Sequence, residues 1–383
     1  MRIAIVTAFP EMEDTPRGGV EAVSVTLVQS LAALPALDVQ VVTVRAGATA
    51  GTRQWKGATI HTLPRLGKRM LTGAMGPDRR QVQEYVLALK PDVVHAHDTF
   101  GLMVRGLPLP RVMTIHGFIH GDTLVAGAAF ARVRSAAWRV IESRTWADYP
   151  HIISISPYVR ERLTGIATGA IHDIDNPIGA SFFDVPRRES GLAIFSAAVV
   201  SRRKNTVGLI EALARVRKAG VDASLRLAGA VAEPEYDQQV RARIGALDLE
   251  PFVVRLGAIS AAQVANELSE ASVFALVSRE ENSPLGIEEA MAAGVPVVTS
   301  NRCGMPYMVR DGVTGYLVDP ENPADIAARL IALLKHPDRR AAMGAHARAV
   351  AADRFHPNHV AERTRAVYAR ALEPRAGSAR QAP

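Results

Sequence analysis

Residues 278–300 have the sequence SREENSPLGIEEAMAAGVPVVTS, and this stretch indicates the fold of the chain. The apolar run before it, residues 273–277, predicts a buried parallel strand. Pro284 stands where a first helical residue is expected, Ser283 is the expected N-cap, and Gly294 ends the predicted helix. A second apolar run then predicts another strand. The loop of this strand–loop–helix–strand unit is expected at the carboxyl edge of a parallel sheet, where ligands bind and a helix N-terminus favours anions.

The same unit carries carboxylates at positions that a hydrophobic core would not select. Glu281 lies in the loop, and Glu288 and Glu289 follow in the predicted helix. Because Leu285 and Glu289 are four residues apart and share a helix face, Glu289 is expected to project along the flank towards the loop. Glu288 is expected to reach solvent. Helix geometry alone leaves open the alternative that all three acids are solvated surface residues.

The spacing Glu281-x7-Glu289, followed by residues 290–298 (AMAAGVPVV), resembles the signature of the family 4 retaining glycosyltransferases. These enzymes have the GT-B fold and transfer a sugar from a nucleotide-sugar donor to an acceptor. Two glutamates at this spacing are common by chance, but the preceding strand and the following AMAAGVPVV make the pattern specific. The resemblance implies an α/β, GT-B architecture of two Rossmann-like doubly wound domains that face a central cleft.

Length and composition agree with a folded chain of about two domains. The chain has 383 residues, 48% of them hydrophobic and 22% charged, which excludes a disordered protein. No run of 18 apolar residues is present, so no membrane span is expected. The first residues predict a strand rather than a signal peptide. The single Cys303 cannot form an internal disulfide, which is consistent with the predicted cytoplasmic location.

The net charge is +7, but the basic residues are spread along the chain rather than gathered into patches with aromatic residues. We therefore do not expect nucleic-acid binding. A dispersed arginine surplus is typical of a solvated surface, or of an anionic ligand or membrane surface nearby.

Strands and helices alternate along most of the sequence, which favours doubly wound α/β domains. The predicted first domain spans residues 1–180 and contains a loop over 10–19. Prolines and charges interrupt the pattern over 176–190, and the second domain is predicted over 190–355. Its helices are expected to begin at Asn205, at a Ser260–Gln263 capping box and at Asn322. The resemblance implies that residues 356–375 form a helix that crosses back to the first domain, with the acceptor on the first domain and the nucleotide sugar on the second. The last ten or so residues are expected to be frayed.

Gly18 and Gly19 lie where the first loop meets a predicted helix. Glycines at such a junction allow backbone amides to approach a phosphate, although a plain tight turn is the alternative. The pair is not part of a G-x-G-x-x-G dinucleotide fingerprint. The resemblance implies that both glycines face the donor diphosphate.

The segment Arg202-Arg203-Lys204-Asn205 follows the first strand of the second domain. Arginine and lysine at that edge suit a pyrophosphate, although an ordinary basic loop is the alternative. The segment resembles the R-K-N run of the family, in which the lysine and often an arginine bind the diphosphate, and Lys204 matches it. The second arginine of the family, six residues earlier, is absent here, so either Arg203 or Arg202 is expected to substitute for it.

Three histidines follow predicted strands of the first domain: His95, His97 and His116. A His-x-His pair without a third ligand is weak evidence for a metal, and single histidines are more often structural. The run T-I-H-G around His116 resembles the family segment whose histidine lies beside the donor sugar. We therefore rank His116 above the other two, and consider His97 and Asp98 candidates for the acceptor side.

A predicted helix over 126–147 carries four arginines and two tryptophans (Arg132, Arg134, Trp138, Arg139, Arg144 and Trp146). One interpretation is a basic amphipathic surface for anionic lipid. The other is a packed helix whose arginines extend their charged ends into solvent. Because Arg134 points nearly opposite Arg132, the packed helix is favoured. A separate departure is Tyr307, which stands where the family has a glutamate, so an unusual donor preference is expected.

The resemblance implies transfer of a hexose-type sugar from a UDP- or GDP-sugar to a glycan or lipid-linked acceptor, with retention of the anomeric configuration. The resemblance also implies peripheral contact with the inner face of the membrane, because bacterial relatives often act there on lipid-linked acceptors. No cofactor or metal is expected, because the loop lacks an Asp-x-Asp motif. The assigned roles are Glu281, His116 and Lys204 as catalytic residues and Gly18, Gly19, Arg203, Lys204, Asn282, Ser283, Leu285 and Glu289 as substrate-binding residues.

Three alternatives predict different behaviour. A glycoside hydrolase would use Glu281 and Glu289 as its acid and nucleophile, and would need no arginine and lysine cluster. A nucleotide-sugar epimerase would consume the donor without an acceptor. A non-catalytic nucleotide-sugar-binding protein would bind UDP tightly and transfer nothing.

Overall fold

The computed structural model describes residues 1–11, 16, 18–68, 70–125, 130–189 and 191–373. The chain divides into two compact units, one formed by Met1–Pro177 with Pro357–Pro383 and the other by Ile178–His356. Part of the loop predicted over 10–19, Ser190 and the chain after Glu373, where fraying was expected, lie outside the described residues.

Unit 1 (Met1–Pro177 with Pro357–Pro383) is built on an eight-stranded sheet of order β3-β4-β2-β1-β5-β6-β7-β8. Every pair of neighbours is parallel except β3 and β4. In the central strands β1, β5, β6 and β7 the Val, Ile and Ala side chains are buried, as expected for parallel strands covered on both faces. The strands are β1 (Arg2–Val6), β2 (Asp38–Arg45), β3 (Gly51–Trp55), β4 (Ala58–Pro64), β5 (Val93–His97), β6 (Arg111–Ile115), β7 (His151–Ser154) and β8 (Ala170–Asp173).

The helices of unit 1 are α1 (Gly19–Ala32), α2 (Met70–Met75), α3 (Pro77–Leu89), α4 (Phe100–Val104), α5 (Ile119–Val125), α6 (Ala131–Ala147), α7 (Pro157–Leu163) and α14 (Pro357–Leu372). The last of these packs against α1 and buries Tyr368. The single helix predicted over 126–147 was wrong in its start, because Phe130 has a left-handed backbone (φ 58°) directly before α6. Residues 126–129 lie outside the described part of the chain.

The β3–β4 hairpin was not predicted from the sequence. Its two turn residues, Lys56 and Gly57, both have positive φ (43° and 85°). This is the backbone that a two-residue hairpin turn requires, because its twist matches that of the strands. A Lys-Gly pair is a weaker signal for such a turn than Asn-Gly, which explains the omission.

Unit 2 (Ile178–His356) contains a six-stranded, fully parallel sheet of order β11-β10-β9-β12-β13-β14. Its strands are β9 (Leu192–Ala197), β10 (Ala223–Ala228), β11 (Val253–Gly257), β12 (Val273–Leu276), β13 (Val297–Ser300) and β14 (Gly315–Val318). Its helices are α8 (Thr206–Lys218), α9 (Pro234–Ala246), α10 (Ala261–Glu270), α11 (Leu285–Ala292), α12 (Pro323–Leu334) and α13 (Pro337–Arg354). Both units are therefore Rossmann-like, as the sequence predicted.

Of the four N-caps predicted in unit 2, those at Ser260 and Asn322 are formed, and those at Asn205 and Ser283 are not. The Ser260–Gln263 capping box is formed in both directions. The Asn322 side chain accepts hydrogen bonds from the amides of Ala324 and Asp325. Asn205 was predicted to cap α8 and does not, because its side-chain amide instead donates to the carbonyl of Pro320.

The strand–loop–helix–strand unit predicted over 273–300 is confirmed as β12, α11 and β13. Strand β12 lies in the middle of the sheet, between β9 and β13, and pairs in parallel with both. The loop before α11 therefore lies at the carboxyl edge, next to the loop that follows β9. Among the described residues, none of the helices combines the length and the hydrophobicity of a membrane span.

Candidate functional site

Two loops of unit 2 are tied together where β9 and β12 end. The amide of Arg279 donates to the carbonyl of Arg203 at 2.8 Å, and the Arg279 guanidinium donates to the carbonyl of Arg202 at 2.6 Å. The same guanidinium forms a two-pronged ion pair with Glu321 (2.7 and 3.1 Å). Arg279 thus fixes the position of the basic segment 202–204 against the loop of 278–284.

Lys204 and Arg203 both contact the carboxylate of Glu281. The Lys204 ammonium donates a hydrogen bond to Glu281 Oε1. Arg203 Nη1 lies 3.5 Å from Glu281 Oε2 and donates to the carbonyl of Glu280 at 3.2 Å. The side chains of Lys204 and Glu281 are only 13% and 8% exposed, so water has little access to this ion pair. Two cations and one carboxylate therefore form a compact cluster at the edge of the sheet.

Arg202 points away from this cluster. Its guanidinium lies 3.8 Å from Glu233, donates to Gln239 at 3.4 Å and stacks over the ring of Tyr236. Of the two arginines that the sequence left open, Arg203 is the one beside Glu281.

The start of α11 differs from the prediction in two details. Pro284, rather than Ser283, occupies the N-cap, and it makes no side-chain cap. The Ser283 hydroxyl instead donates to Glu288 Oε1 at 2.7 Å. The expectation that Glu288 reaches solvent was wrong, because this residue is fully buried. The first turn of α11 still begins directly after the loop that contains Glu281. Its backbone amides form a helix N-terminus, which favours an anion.

Glu289 lies one turn into α11 and is half-buried. Loss of solvation on burial raises the pKa of its carboxyl group to about 7. No hydrogen bond or ion pair to this carboxyl group occurs within the described part of the chain. A carboxyl group with a raised pKa and no protein partner is a candidate ligand-binding group.

Gly304 contacts the backbone of the loop that contains Glu281. Its amide donates to the carbonyl of Glu281 at 2.8 Å. A Cβ atom at this position would lie 1.8 Å from the carbonyl oxygen of Asn282, so no larger residue fits without moving the loop. Gly304 begins the segment that ends at Tyr307, which is 38% exposed.

In unit 1, Gly18 and Gly19 lie where α1 begins. Gly18 has an extended backbone at the N-cap position (φ −176°), and a Cβ there would meet no atom within 4 Å. Packing inside the unit therefore gives no reason for a glycine at position 18.

His95, His97 and His116 lie close together near the carboxyl ends of β5 and β6, with His95 and His97 fully buried and His116 half-buried. His95 is hydrogen-bonded through both ring nitrogens, to the Tyr368 hydroxyl and the Thr114 hydroxyl (each 2.7 Å). Its ring lies 4.7 Å from that of His97, centroid to centroid. Burial lowers the pKa of His95 to about 3. These contacts give His95 a structural role.

His116 and His97 contact each other through ring nitrogens, with His116 Nε2 lying 3.1 Å from His97 Nδ1. His116 Nδ1 is 3.1 Å from Asn176 Oδ1, and the His116 amide donates to Asp98 Oδ1 at 2.7 Å. Since Asn176 Oδ1 accepts, His116 Nδ1 carries the proton and Nε2 accepts from His97. Burial lowers the pKa of His116 to about 4, so both rings are neutral at physiological pH.

The structure brings together one subset of the predicted residues: Arg203, Lys204 and Glu281 are in contact, and Asn282, Ser283, Leu285 and Glu289 continue from them along the loop and α11. His116, Gly18 and Gly19 belong to unit 1. Sequence reasoning missed Arg279, Glu321 and Gly304. The local sequence around Arg279 does not indicate its ion-pair partner, Glu321, which lies 42 positions further along the chain. Gly304 was detectable as a glycine directly before a Met-Pro pair.

Two families match the chain in succession. "Glycosyltransferase Family 4" matches residues 17–181, and "Glycosyl transferases group 1" matches residues 179–350. Together these matches span residues 17–350, which include unit 1 from α1 to β8 and almost all of unit 2.

Similar proteins agree with these matches. The chain is 31% identical over 173 residues to the D-inositol 3-phosphate glycosyltransferase of Corynebacterium kroppenstedtii. This alignment covers 42% of the chain and 38% of the relative, so the chain spans well under two thirds of that protein.

Among solved structures, sucrose-phosphate synthase from Thermosynechococcus elongatus superimposes with a TM-score of 0.80 at 19% identity, covering 96% of this chain and 98% of that one. Anabaena HepE in complex with UDP and glucose superimposes with a TM-score of 0.72 at 17% identity, covering 97% and 100%. At these identities the superpositions show the fold alone.

Proposed function

The chain belongs to the family 4 glycosyltransferases of the GT-B fold, and from this premise we propose that it transfers a hexose-type sugar from a UDP- or GDP-sugar to a glycan or lipid-linked acceptor with retention at the anomeric carbon. The contact of Lys204 and Arg203 with Glu281, beside the N-terminus of α11, is the observation that carries the proposal. It combines cations for a diphosphate with a carboxylate for sugar hydroxyls. The relative from C. kroppenstedtii is itself named a glycosyltransferase, and HepE was solved with UDP and glucose.

The proposed donor site assigns one group to each part of the nucleotide sugar. Lys204 and Arg203 bind the diphosphate together with the first amides of α11. Glu281 accepts hydrogen bonds from the hydroxyls of the sugar, and Glu289 accepts them from the ribose. Asn282, Ser283 and Leu285 supply further contacts from the loop.

In the proposed reaction, the bond between the anomeric carbon and the diphosphate oxygen breaks while the acceptor oxygen bonds to the same face of that carbon. The acceptor proton passes to a phosphate oxygen of the leaving diphosphate. Negative charge grows on that diphosphate, so Lys204 and Arg203 stabilise the transition state more than the ground state. Preorganised groups of this kind contribute roughly 3–4 kcal/mol each.

The unit 1 residues enter the proposal through the family resemblance. Gly18 and Gly19 offer backbone amides to the diphosphate, and His116 is assigned to the donor sugar. Both ring nitrogens of His116 already have partners, so a sugar hydroxyl must either replace one of them or bind elsewhere on the residue.

A thermal-shift screen with UDP-, GDP- and ADP-sugars tests the donor class, because a ligand that binds only the folded chain raises the melting temperature. NMR of the product formed from the stabilising donor then tests the stereochemistry. We expect the anomeric configuration of the donor to be kept. Inversion, consumption of the donor without an acceptor, or tight binding without transfer would each contradict the proposal.

A further inference from the structure

Helix α6 of unit 1 buries one face and exposes the other. Its inward face consists of Ser135, Glu142, Thr145 and Trp146, all buried. Glu142 is the only acidic residue of the helix, and its carboxylate accepts hydrogen bonds from the amides of Ile119 and His120. The exposed part of α6 therefore carries no negative side chain.

The outward face of α6 carries an apolar ridge. Val133 is 68% exposed and Val140 is 50% exposed, and Phe130, directly before the helix, is 80% exposed. Val133 and Val140 are seven residues apart, so they lie within about 20° of each other around the helix axis. Phe130 and Val133 have the highest exposed fractions among the large hydrophobic residues in the described part of the chain.

Four exposed arginines surround this ridge: Arg132, Arg134, Arg139 and Arg144. At about 100° per residue, Arg132 and Arg139 lie on one side of the ridge and Arg134 on the other. Arg144 lies close to the line of Val133. None of these four arginines forms an ion pair with an acidic residue in the described part of the chain. On α14 of unit 1, by contrast, Arg365 pairs with Glu362 at 2.7 Å.

The sequence interpretation favoured a packed helix over a lipid surface because Arg132 and Arg134 point in nearly opposite directions. The exposed fractions change that conclusion, because both arginines are exposed and an apolar ridge lies between them. Arginines that flank an apolar strip can keep their charged ends at the headgroup level while the strip enters the boundary of the acyl chains.

We propose that the outward face of α6, formed by Phe130, Val133, Val140 and the four arginines, docks on the surface of an anionic lipid bilayer. Charge complementarity commits the surface to this partner: it combines unpaired cations, no exposed acid and large exposed apolar side chains. The face involves none of the residues assigned to the donor, so the inference does not depend on the proposed function.

Co-sedimentation of the full chain with phosphatidylcholine vesicles, with and without phosphatidylglycerol, tests the inference. We expect binding only when phosphatidylglycerol is present, and release at high salt because added ions screen the attraction. The double variant Arg132→Gln/Arg139→Gln should bind roughly 30-fold more weakly, at about fivefold for each arginine near an anionic leaflet. The variant Val133→Ser/Val140→Ser should also bind more weakly at unchanged net charge.

The matched control is Arg215→Gln/Lys218→Gln, which removes two exposed positive charges from α8 of unit 2. It should bind vesicles nearly as well as the parent chain. Equal losses in this control and in the α6 arginine variant would overturn the inference, because net charge alone would then explain binding.

Two further outcomes would also overturn it. One is a parent chain that ignores anionic vesicles. The other is a parent chain that dimerises without binding vesicles and becomes monomeric when Val133 and Val140 are replaced, which would assign the face to a second copy. Thermal melts confirm that each variant folds, and the salt dependence of the parent chain needs no variant. Donor-induced thermal shifts without vesicles should persist in all variants, so their loss would bear on the proposed function alone.

Discussion

Lys204 donates a hydrogen bond to the carboxylate of Glu281, so the cation proposed to bind the donor diphosphate is already paired with the acid proposed to bind the donor sugar. Arg203 shares the same carboxylate at 3.5 Å. In the free chain, the carboxylate of Glu281 thus occupies the position of an anion beside both cations. A bound diphosphate would compete with it, and the displaced carboxylate would become available to sugar hydroxyls.

Replacing Lys204 with alanine should lower turnover by roughly 10²–10³, because about 3–4 kcal/mol of stabilisation of the leaving diphosphate is lost. Steady-state kinetics with the donor identified by thermal shift measures this effect. Lys218→Ala, at the exposed end of α8, is the control and should leave turnover unchanged. Near-normal turnover of the Lys204 variant, with its melt intact, would refute the role assigned to Lys204.

Replacing Glu281 with glutamine should have opposite effects on binding and transfer. Free UDP should bind roughly tenfold more tightly, because Lys204 and Arg203 lose a competing charge-assisted hydrogen bond of about 1.5 kcal/mol. Sugar transfer should fall, because the neutral amide is a weaker acceptor for the sugar hydroxyls. Calorimetry with UDP and turnover assays separate the two effects, and Glu280→Gln is the matched control. UDP affinity that stays equal or decreases would show that Glu281 does not compete for the cations.

Glu289 should make stability depend on pH in an unusual direction. Burial raises its pKa to about 7 from 4.5, so the folded chain holds this proton more tightly than the unfolded chain. Stability is then lost as the pH rises from 4.5 through 7, because ionisation of this half-buried group becomes costly. At pH 8, the free energy of unfolding of Glu289→Gln should therefore exceed that of the parent chain by an amount on the order of 1–3 kcal/mol, and the variant should melt at a higher temperature. At pH 5 the difference should be small.

Glu321→Gln provides a control of opposite sign. The hydrogen bond and charge of Arg279 lower the pKa of Glu321, so its ionised form stabilises the folded chain above its usual pKa. This variant should melt lower than the parent at pH 8. If Glu289→Gln also melted lower than the parent chain at pH 8, the Glu289 carboxyl group would be solvated and its pKa would not be raised.

Gly304→Ala should damage the donor loop directly. The new Cβ would lie 1.8 Å from the carbonyl oxygen of Asn282, so the loop must move and its hydrogen bond from Gly304 must break. We expect donor binding to be lost together with about 1–3 kcal/mol of stability. Gly51→Ala, where a Cβ meets nothing within 4 Å, is the control for a glycine substitution. Normal donor affinity in the Gly304 variant would mean that the loop position is unimportant for binding.

The sequence predicted the site where local chemistry determines structure. Strand β12, helix α11 and strand β13 follow from apolar runs, a proline and a glycine within 30 residues, and the Ser260–Gln263 box follows from three-residue spacing. The contact between Lys204 and Glu281 joins residues 77 positions apart. It depends on β9 and β12 lying side by side, which no local pattern specifies.

The misassigned glutamate shows a different limit. Around α11, Glu288 lies closer than Glu289 to the apolar side formed by Ile287 and Met291, so helix geometry itself pointed to the buried position. Helix α13 packs against α11, and the Ser283 hydroxyl satisfies one oxygen of the buried carboxylate. Polar partners of this kind make buried acids tolerable, and the sequence alone does not reveal them.

The crystal structure of the chain with bound UDP tests the central claim most directly. We predict that the diphosphate contacts Lys204 and Arg203 at the start of α11, that Glu281 has separated from Lys204, and that the ribose hydroxyls reach Glu289. A nucleotide bound elsewhere, with the hydrogen bond between Lys204 and Glu281 intact, would contradict it.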